Sequence, residues 1–395
     1  MIGKKIFDQR IALIGSILLI FYPLDIILAS FLGPDSFTPL LSSLAILCYL
    51  IAEEKKFSAK QSVPLFILSG FFIGISVSAR ETSIFLYGVL FFHQIIKRQK
   101  ISSFLWISLG LTIPLIGEAV YYYVNTGNPF LRIHVLDNLK TLIMKDYSES
   151  AGSLLYYPKL MFGFNLQGWA TYGLTWWLAL AGFLWAGLNK DKKMLFPAIW
   201  LILPFLGFEF GLQSFKEGIL ISKNFNYLAL ITPPTMLISA YFIKESISLL
   251  FLNKKKRILM LTATILTIAC MNLYGTYRLT LNIKDDAAPY IAVTDYLKKH
   301  QAKILYTHHS RWSLFLNYFL HYPENLDSRD LNNLDQAEVE QIVSGAYIIL
   351  HKRYIEADVR GRSFKLLPFY ARYVDSPPPN WIKALSFHGR PEYNN

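Results

Sequence analysis

Residues 63–82 read VPLFILSGFFIGISVSARET, and this stretch contains the two features on which the fold depends. Up to Ala79 no side chain is ionisable, whereas Arg80 and Glu81 follow directly. A long uncharged, apolar segment is typical of a helix in the hydrocarbon core of a bilayer. The charged pair that ends it is therefore expected close to a membrane surface or inside a protein cavity.

The rest of the chain repeats this pattern. The protein has 395 residues, of which 53% are hydrophobic and only 17% charged, and the apolar residues cluster in long blocks. A soluble protein of this length carries more charge. We therefore predict a polytopic α-helical membrane protein with about nine transmembrane helices. The predicted helices cover Ile11–Leu32, Phe37–Ala52, Val63–Ala79, Thr82–Ile96, Ile101–Val124, Trp169–Leu188, Met194–Phe215, Tyr227–Leu252 and Ile258–Tyr274. The second, third and fourth are short for spanning helices.

Basic residues predict the orientation. They recur after every second helix, as cytoplasmic loops do under the positive-inside rule. This pattern puts the N-terminus in the cytoplasm, and nine spans then put the C-terminus outside. The basic groups are Lys4, Lys5 and Arg10; Lys55, Lys56 and Lys60; Lys97, Arg98 and Lys100; Lys190, Lys192 and Lys193; and Lys254, Lys255, Lys256 and Arg257.

The last third of the chain has a different pattern. We predict a membrane region over 1–280 and a small extracytoplasmic α/β domain over 281–395. Short β-rich runs at 303–307 and 346–350 alternate with helical spacing at 288–300, 311–322 and 335–344, which favours a partly parallel sheet. Residues after Pro377 are predicted to form a tail.

The charge and the cysteines exclude some classes of function. The net charge of +12 is explained by the cytoplasmic loops, and no basic patch interleaved with aromatic residues indicates a nucleic-acid partner. The two cysteines, Cys48 and Cys270, lie in apolar blocks and are too few for a disulfide framework or a cysteine-ligated metal site.

Several ionisable residues fall in the outer half of the predicted membrane. Inserting a charged side chain at the centre of a membrane helix costs about 2.5–3.5 kcal/mol, so each such residue needs an explanation. They are Asp35, Arg80, Glu81, Glu118 and Glu209. Their common depth favours one polar cavity that opens outward. Two other interpretations stay open: structural ion pairs, and an N-cap for the second helix at Asp35.

Four stretches in this order resemble the polytopic glycosyltransferases of the GT-C fold. The closest group is the dolichyl-phosphate-mannose-protein mannosyltransferase-like and aminoarabinose-transferase-like proteins. The stretches are Tyr22-Pro23 with Gly33-Pro34-Asp35, residues 70–82, residues 118–129 and residues 226–234. The resemblance implies that a sugar passes, with inversion, from a polyprenyl-phosphate donor to an acceptor on the extracytoplasmic side. It also implies a bacterial inner-membrane location.

The resemblance also implies roles for individual residues. Asp35 and Glu118 are the expected catalytic residues, with Asp35 as the acceptor's base or as the ligand of a divalent cation, whose use is left open. The expected substrate-binding residues are Arg80, Glu81, Lys223, Asn226 and Tyr227, and Arg80 and Lys223 are the cations for the donor phosphate. The family usually has Arg where this chain has Asn226. The acceptor is a lipid, a protein or a glycan.

The start of the chain departs from the family pattern. The family begins with another helix, an external loop with a catalytic acidic motif and a returning helix, and this chain begins after them. We therefore expect a shortened enzyme. The alternatives are a catalytically inactive relative that acts as a scaffold in envelope glycan assembly, or a membrane transporter.

Overall fold

The computed structural model describes residues 1–30, 34–54, 58–98, 101–134, 155–162, 172–214, 219–220, 225–307, 327–330 and 346–349. These residues divide into two compact units, one up to Thr280 and one from Leu281. The predicted helices at 311–322 and 335–344 and the predicted tail lie outside the described residues, as does Lys223.

The described part of the chain is mostly helical. Its twelve α-helices are α1 (Ile2–Ile6), α2 (Gln9–Ile20), α3 (Pro23–Ser30), α4 (Phe37–Ala52), α5 (Ala59–Ala79), α6 (Phe85–Ile96), α7 (Ile101–Thr126), α8 (Tyr156–Phe162), α9 (Thr175–Leu188), α10 (Leu195–Phe210), α11 (Thr232–Leu250) and α12 (Lys254–Lys299). Short 3-10 turns cover Pro34–Ser36, Glu81–Ile84, Lys192–Met194 and Phe225–Ile231.

Five of the described helical segments are long and apolar enough to cross a membrane, and a bent pair makes up to six. The five are Lys60–Ala79, Ser102–Thr126, Lys192–Phe210, Asn226–Leu250 and Lys254–Leu281. Shorter apolar helices cover Phe37–Ala52, Glu81–Ile96 and Thr175–Leu188. The segment Asn226–Leu250 is 83% buried and Ser102–Thr126 only 17%, so α11 lies at the centre of the first unit and α7 at its periphery.

The first predicted helix is not straight. It consists of α2 and α3, which meet at an angle of 57°. The bend coincides with Pro23, which lacks the N–H that would continue the helix and whose ring clashes with the preceding turn. Hydropathy alone predicted the length of this apolar block but not the break in it. The end of the predicted helix, at Phe31 and Leu32, lies outside the described residues.

The third predicted helix is longer than the sequence indicated. Helix α5 begins at Ala59, where Ser58 and Gln61 form a capping box: the Gln61 amide donates to Ser58 Oγ at 3.4 Å and the Ser58 amide to Gln61 Oε1 at 3.0 Å. The polar first turn therefore belongs to the helix. The prediction that this helix is short for a span is wrong.

Helices α5 and α7 pack backbone to backbone through glycines. A Cβ added at Gly110 would lie 1.9 Å from the carbonyl oxygen of Ile67, and one at Gly70 would lie 1.9 Å from that of Ile107. Small residues allow this approach between membrane helices. The glycine contact holds the end of α5 beside the second half of α7, where Glu118 lies.

Strands contribute little to the first unit and form the sheet of the second. β1 (Leu212–Ser214) pairs antiparallel with β2 (Ile219–Leu220). In the second unit, β3 (Ile304–Thr307) lies between β4 (Asp327–Asp330) and β5 (Tyr347–Ile349), and both pairings are parallel. Leu297, Ala302 and Leu305 form the buried cluster beneath it. Strands β3 and β5 coincide with the two runs predicted at 303–307 and 346–350.

Candidate active site

Asp35 lies in the 3-10 turn between α3 and α4 and is the centre of a cluster of polar side chains. Arg80, at the C-terminal end of α5, approaches it with two nitrogens: Nε lies 2.6 Å from Oδ1 and Nη2 donates to Oδ2 at 3.0 Å. The side chains of Asp35 and Arg80 are 14% and 21% exposed. A two-nitrogen contact of Arg with a carboxylate fixes both groups in orientation as well as in charge.

The turn that precedes α11 supplies two further groups of this cluster. Asn226 Nδ2 donates to Asp35 Oδ2 at 3.0 Å. The guanidinium carbon of Arg80 lies 5.2 Å from the centre of the Tyr227 ring, which is within cation–π range. The structure therefore brings together four of the predicted site residues, from three segments far apart in the sequence. Asn226, which stands where the family usually has Arg, holds the carboxylate of Asp35.

Glu118 is the centre of a second polar cluster, which we call the Glu118 cluster. Arg132 Nη1 donates to Glu118 Oε1 at 2.9 Å and to Oε2 at 3.2 Å. Ser78 Oγ donates to Glu118 Oε2 at 2.6 Å, and Arg132 Nη2 donates to the Val77 carbonyl oxygen at 3.0 Å. These bonds tie α5, α7 and the segment after α7 together.

Glu81 connects the two clusters along the chain. It follows Arg80 directly, and its Oε2 lies 3.7 Å from Arg132 Nη2. Two arginines and three carboxylates therefore lie at the end of the helices where α5 ends. Four of the five residues predicted to share one depth, Asp35, Arg80, Glu81 and Glu118, therefore lie at the same end of these helices.

Sequence reasoning missed Arg132. Gly127 and Pro129 indicate a turn at residues 125–129, but nothing in the sequence pattern indicates that the chain folds back afterwards. The structure supplies the reason: the Phe130 amide donates to Asn128 Oδ1 at 3.0 Å, and Asn128 Nδ2 lies 3.0 Å from His134 Nδ1. The sequence signal that could have indicated Arg132 as a site residue is its position three residues after Pro129, in a turn at the predicted membrane surface.

Glu209 has a different role from the one that its depth suggested. Its carboxylate accepts hydrogen bonds from the backbone amides of Tyr156, at 3.0 Å, and Tyr157, at 3.1 Å. These amides open α8, where backbone N–H groups lack helical partners. Glu209 is fully buried, so it anchors α8 to the end of α10.

Among the described residues, no group of three or more His, Cys, Asp or Glu side chains is arranged to hold a metal ion. Asp25, in the first turn of α3, has two buried carboxylate oxygens that bond to no partner within the described ranges.

The helices define the class: this is a multi-pass membrane protein. Residues 1–123 match the sequence profile of the family described as dolichyl-phosphate-mannose-protein mannosyltransferase, which confirms the resemblance to GT-C glycosyltransferases over this part of the chain. No curated protein and no solved structure matches the chain significantly. The matched region contains Asp35, Arg80, Glu81 and Glu118, and it indicates a glycosyltransferase kind of function.

Proposed function

We propose that this protein transfers a sugar from a polyprenyl-phosphate donor to a hydroxyl acceptor on the extracytoplasmic side of the cell membrane. The observation that carries the proposal is the pair of Arg–carboxylate contacts, Arg80 with Asp35 and Arg132 with Glu118, at one end of the helices. Most of these groups fall in the region matched to the mannosyltransferase family. The donor's phosphate needs cations, and the acceptor's hydroxyl needs a base.

The proposed topology has nine spans, with the N-terminus in the cytoplasm and residues 281–395 outside as a separate domain. Within the described residues, the five long segments, the bent pair and the three shorter helices together make nine. Two of the predicted cytoplasmic lysines form ion pairs at the opposite end of α4 from Asp35. Lys97 lies 3.6 Å from Glu53, and Lys5 contacts Glu54. Both contacts involve the far end of α4, whose first turn follows Asp35. This arrangement is the one expected for a cytoplasmic face rich in Lys and Arg.

Arg80 has the geometry to bind Asp35 and a phosphate together. A guanidinium has five N–H donors on three nitrogens. Nη2 donates to Asp35 Oδ2, and Nε is in ion-pair contact with Asp35 Oδ1 without forming a hydrogen bond. The third nitrogen, Nη1, bonds to no acceptor in the part of the chain that the structure describes. We propose that this nitrogen, together with Arg132 and with Lys223, binds the donor phosphate. Glu81 and Tyr227 would hold the two arginines in place.

The proposed reaction is a single inverting displacement. The acceptor oxygen forms a bond to the anomeric carbon as the bond from that carbon to the phosphate oxygen breaks, and the hydroxyl proton passes to the Asp35 carboxylate. Arg80 and Asn226 orient that carboxylate. The leaving polyprenyl phosphate keeps the electron pair of the broken bond, and Arg80 neutralises its charge. Glu118, engaged by Arg132 and Ser78, would position Arg132 rather than take a proton.

The test uses the full chain in proteoliposomes with a radiolabelled polyprenyl-phosphate mannose and a membrane extract as the source of acceptors. We expect transfer by the wild type and a loss of at least 100-fold in Asp35→Asn. The matched control is Asp8→Asn, at the other end of the helices, because Asn can replace Asp as the N-cap of α2. Transfer at the wild-type rate by Asp35→Asn would remove Asp35 from the site, and no transfer by the wild type would count against catalysis.

A catalytically inactive scaffold is the second candidate, because Asp35 Oδ2 already accepts two hydrogen bonds and Oδ1 is in ion-pair contact with Arg80, as in a structural ion pair. The charge-swapped double variant Asp35→Arg/Arg80→Asp separates the two functions. If the ion pair is only structural, the double variant restores it with the charges exchanged and recovers both the wild-type thermal midpoint and the whole wild-type phenotype. If Asp35 acts on the acceptor, the swap recovers stability but not sugar transfer.

A further inference from the structure

A polar cleft lies at the opposite end of the first unit from Asp35. It has a volume of about 620 Å³ and is formed by the end of α9, the turn that follows it and the second half of α11. Asn189, Lys190 and Lys192 line one wall, and Tyr241 and Ser248 line another. None of these residues has a part in the proposed sugar transfer, so the cleft needs a separate explanation.

Both acids of the cleft accept hydrogen bonds from neighbouring groups, and only one of them is paired with a cation. Asp191 accepts hydrogen bonds from the Lys193 backbone amide at 2.9 Å and from the Tyr241 hydroxyl at 2.9 Å. Glu245 accepts a hydrogen bond from Lys244 at 2.5 Å, and Lys244 also lies 3.4 Å from Asp8. Glu245 is therefore paired with an ammonium group, whereas Asp191 is held by neutral donors and keeps its negative charge.

The lysines of the cleft have no such partner. Over the described ranges of the chain, Lys190 and Lys192 form no ion pair and no side-chain hydrogen bond. Lys190 also has a positive φ of 53°, which few side chains adopt, and the turn holds it beside Asp191 at the mouth of the cleft. The two ammonium groups outnumber the one carboxylate between them, that of Asp191, so this wall carries a net positive charge, with the Asn189 amide and the Tyr241 hydroxyl nearby.

Exposed leucines lie beside this charged wall. Leu188 is 82% exposed and Leu249 is 67% exposed, at the ends of α9 and α11 that frame the cleft. Trp185, one turn before Leu188, lines the cleft itself. A Trp at the boundary between apolar and charged residues is typical of the lipid–water interface. The surface is therefore cationic on one side and apolar on the other.

We propose that this cleft binds the headgroup of one anionic glycerophospholipid, with its phosphate at Lys190 and Lys192 and its acyl chains along Leu188 and Leu249. Basic pockets between helices at the cytoplasmic surface are suited to phosphate headgroups. Free phosphate is also an anion but would leave the leucines uncovered, which is why we choose a lipid. The proposal rests on the proposed topology, which puts this end of the helices at the cytoplasmic surface, but not on the sugar transfer.

The test measures lipid contact at Trp185. The full chain is reconstituted in phosphatidylcholine nanodiscs that contain bromine-labelled phosphatidylglycerol or, separately, bromine-labelled phosphatidylcholine, because bromine on an acyl chain quenches a nearby Trp. The chain has eight Trp residues, so the signal of Trp185 is obtained as the difference from Trp185→Phe. We expect phosphatidylglycerol to quench Trp185 with an apparent affinity about tenfold above that of phosphatidylcholine.

The double variant Lys190→Gln/Lys192→Gln should abolish this tenfold preference. The matched control is Lys254→Gln/Lys255→Gln, which removes the same charge from the same end of the protein but outside the cleft, and it should keep most of the preference. An equal loss in both variants would mean non-specific attraction to the basic face and would overturn the proposal. So would competition by inorganic phosphate at millimolar concentration, or an unchanged preference in Lys190→Gln/Lys192→Gln.

Discussion

The glycine contact between α5 and α7 should control the geometry of the candidate site, and Gly110→Ala tests this. The added Cβ would lie 1.9 Å from the Ile67 carbonyl oxygen, whereas real Cβ atoms essentially never come closer than 3.0 Å to such an atom. The helices must therefore separate by at least 1.1 Å, the difference between 3.0 and 1.9 Å. The nearby atom is backbone, so no side-chain rotation relieves the contact.

The separation reaches the Glu118 cluster because Ser78 lies on α5 and Glu118 on α7. The hydrogen bond from Ser78 Oγ to Glu118 Oε2 is 2.6 Å long. If the helices separate by 1.1 Å along the direction of this bond, the distance between the two oxygens becomes about 3.7 Å, which is too long for a hydrogen bond. Over-packing of this kind costs about 1–3 kcal/mol. Displacement of a positioning group by about 1 Å can reduce a rate by up to 10²-fold.

The assay compares Gly110→Ala with Gly117→Ala, on the same helix. A Cβ at Gly117 has nothing within 4 Å among the described residues, so that variant gains helix propensity without a clash. We expect Gly110→Ala to lower the thermal midpoint in detergent by several degrees and the sugar-transfer rate by tenfold or more, and Gly117→Ala to do neither. Equal midpoints and equal rates in the two variants would show that this contact does not position the site.

Three further predictions follow from single contacts. Arg132→Gln should raise the KM for the polyprenyl-phosphate donor at least tenfold, and Arg132→Lys should recover only part of the loss, because Lys cannot bond Glu118 and Val77 in the same way. Glu209→Ala should accelerate hydrogen exchange at the Tyr156 and Tyr157 amides. It should lower the free energy of unfolding by about 1–3 kcal/mol for each amide that loses its acceptor, with an intermediate effect for Glu209→Gln. Unchanged exchange would refute the anchoring role. Asp25→Leu should raise the thermal midpoint. The substitution loses the favourable interaction of a carboxylate with the N-terminal end of a helix, about 0.3–1 kcal/mol, but removes the larger cost of a buried carboxylate without a partner. A lower midpoint would indicate a partner outside the described residues.

The sequence predicted the apolar blocks well, because hydropathy follows from the composition of each segment alone. It failed at Pro23, where the block continues but the backbone bends by 57°. It also failed at the start of α5, where three polar residues join the helix through a capping box. The predicted helix Met194–Phe215 is also too long, because α10 ends at Phe210 and β1 follows at Leu212–Ser214. These errors arise where local backbone chemistry, rather than hydrophobicity, decides the structure.

For the site, the sequence predicted a depth and the structure shows particular partners. Equal spacing from the membrane surface was enough to group Asp35 with Arg80. The sequence could not indicate that Asn226 donates to the Asp35 carboxylate, because Asn226 and Asp35 are 191 positions apart. Arg132 was invisible for a related reason: it lies in a connecting segment without hydrophobic periodicity, and only the folded turn returns it to Glu118.

The separation of these partners along the chain has a consequence for biogenesis. Asp35 and Arg80 are only 45 residues apart, so they can meet as soon as the ribosome has released α5, and a paired charge is easier to move into lipid than two separate ones. Asn226 emerges much later. A nascent chain arrested before α11 should therefore already contain the ion pair but not the complete site.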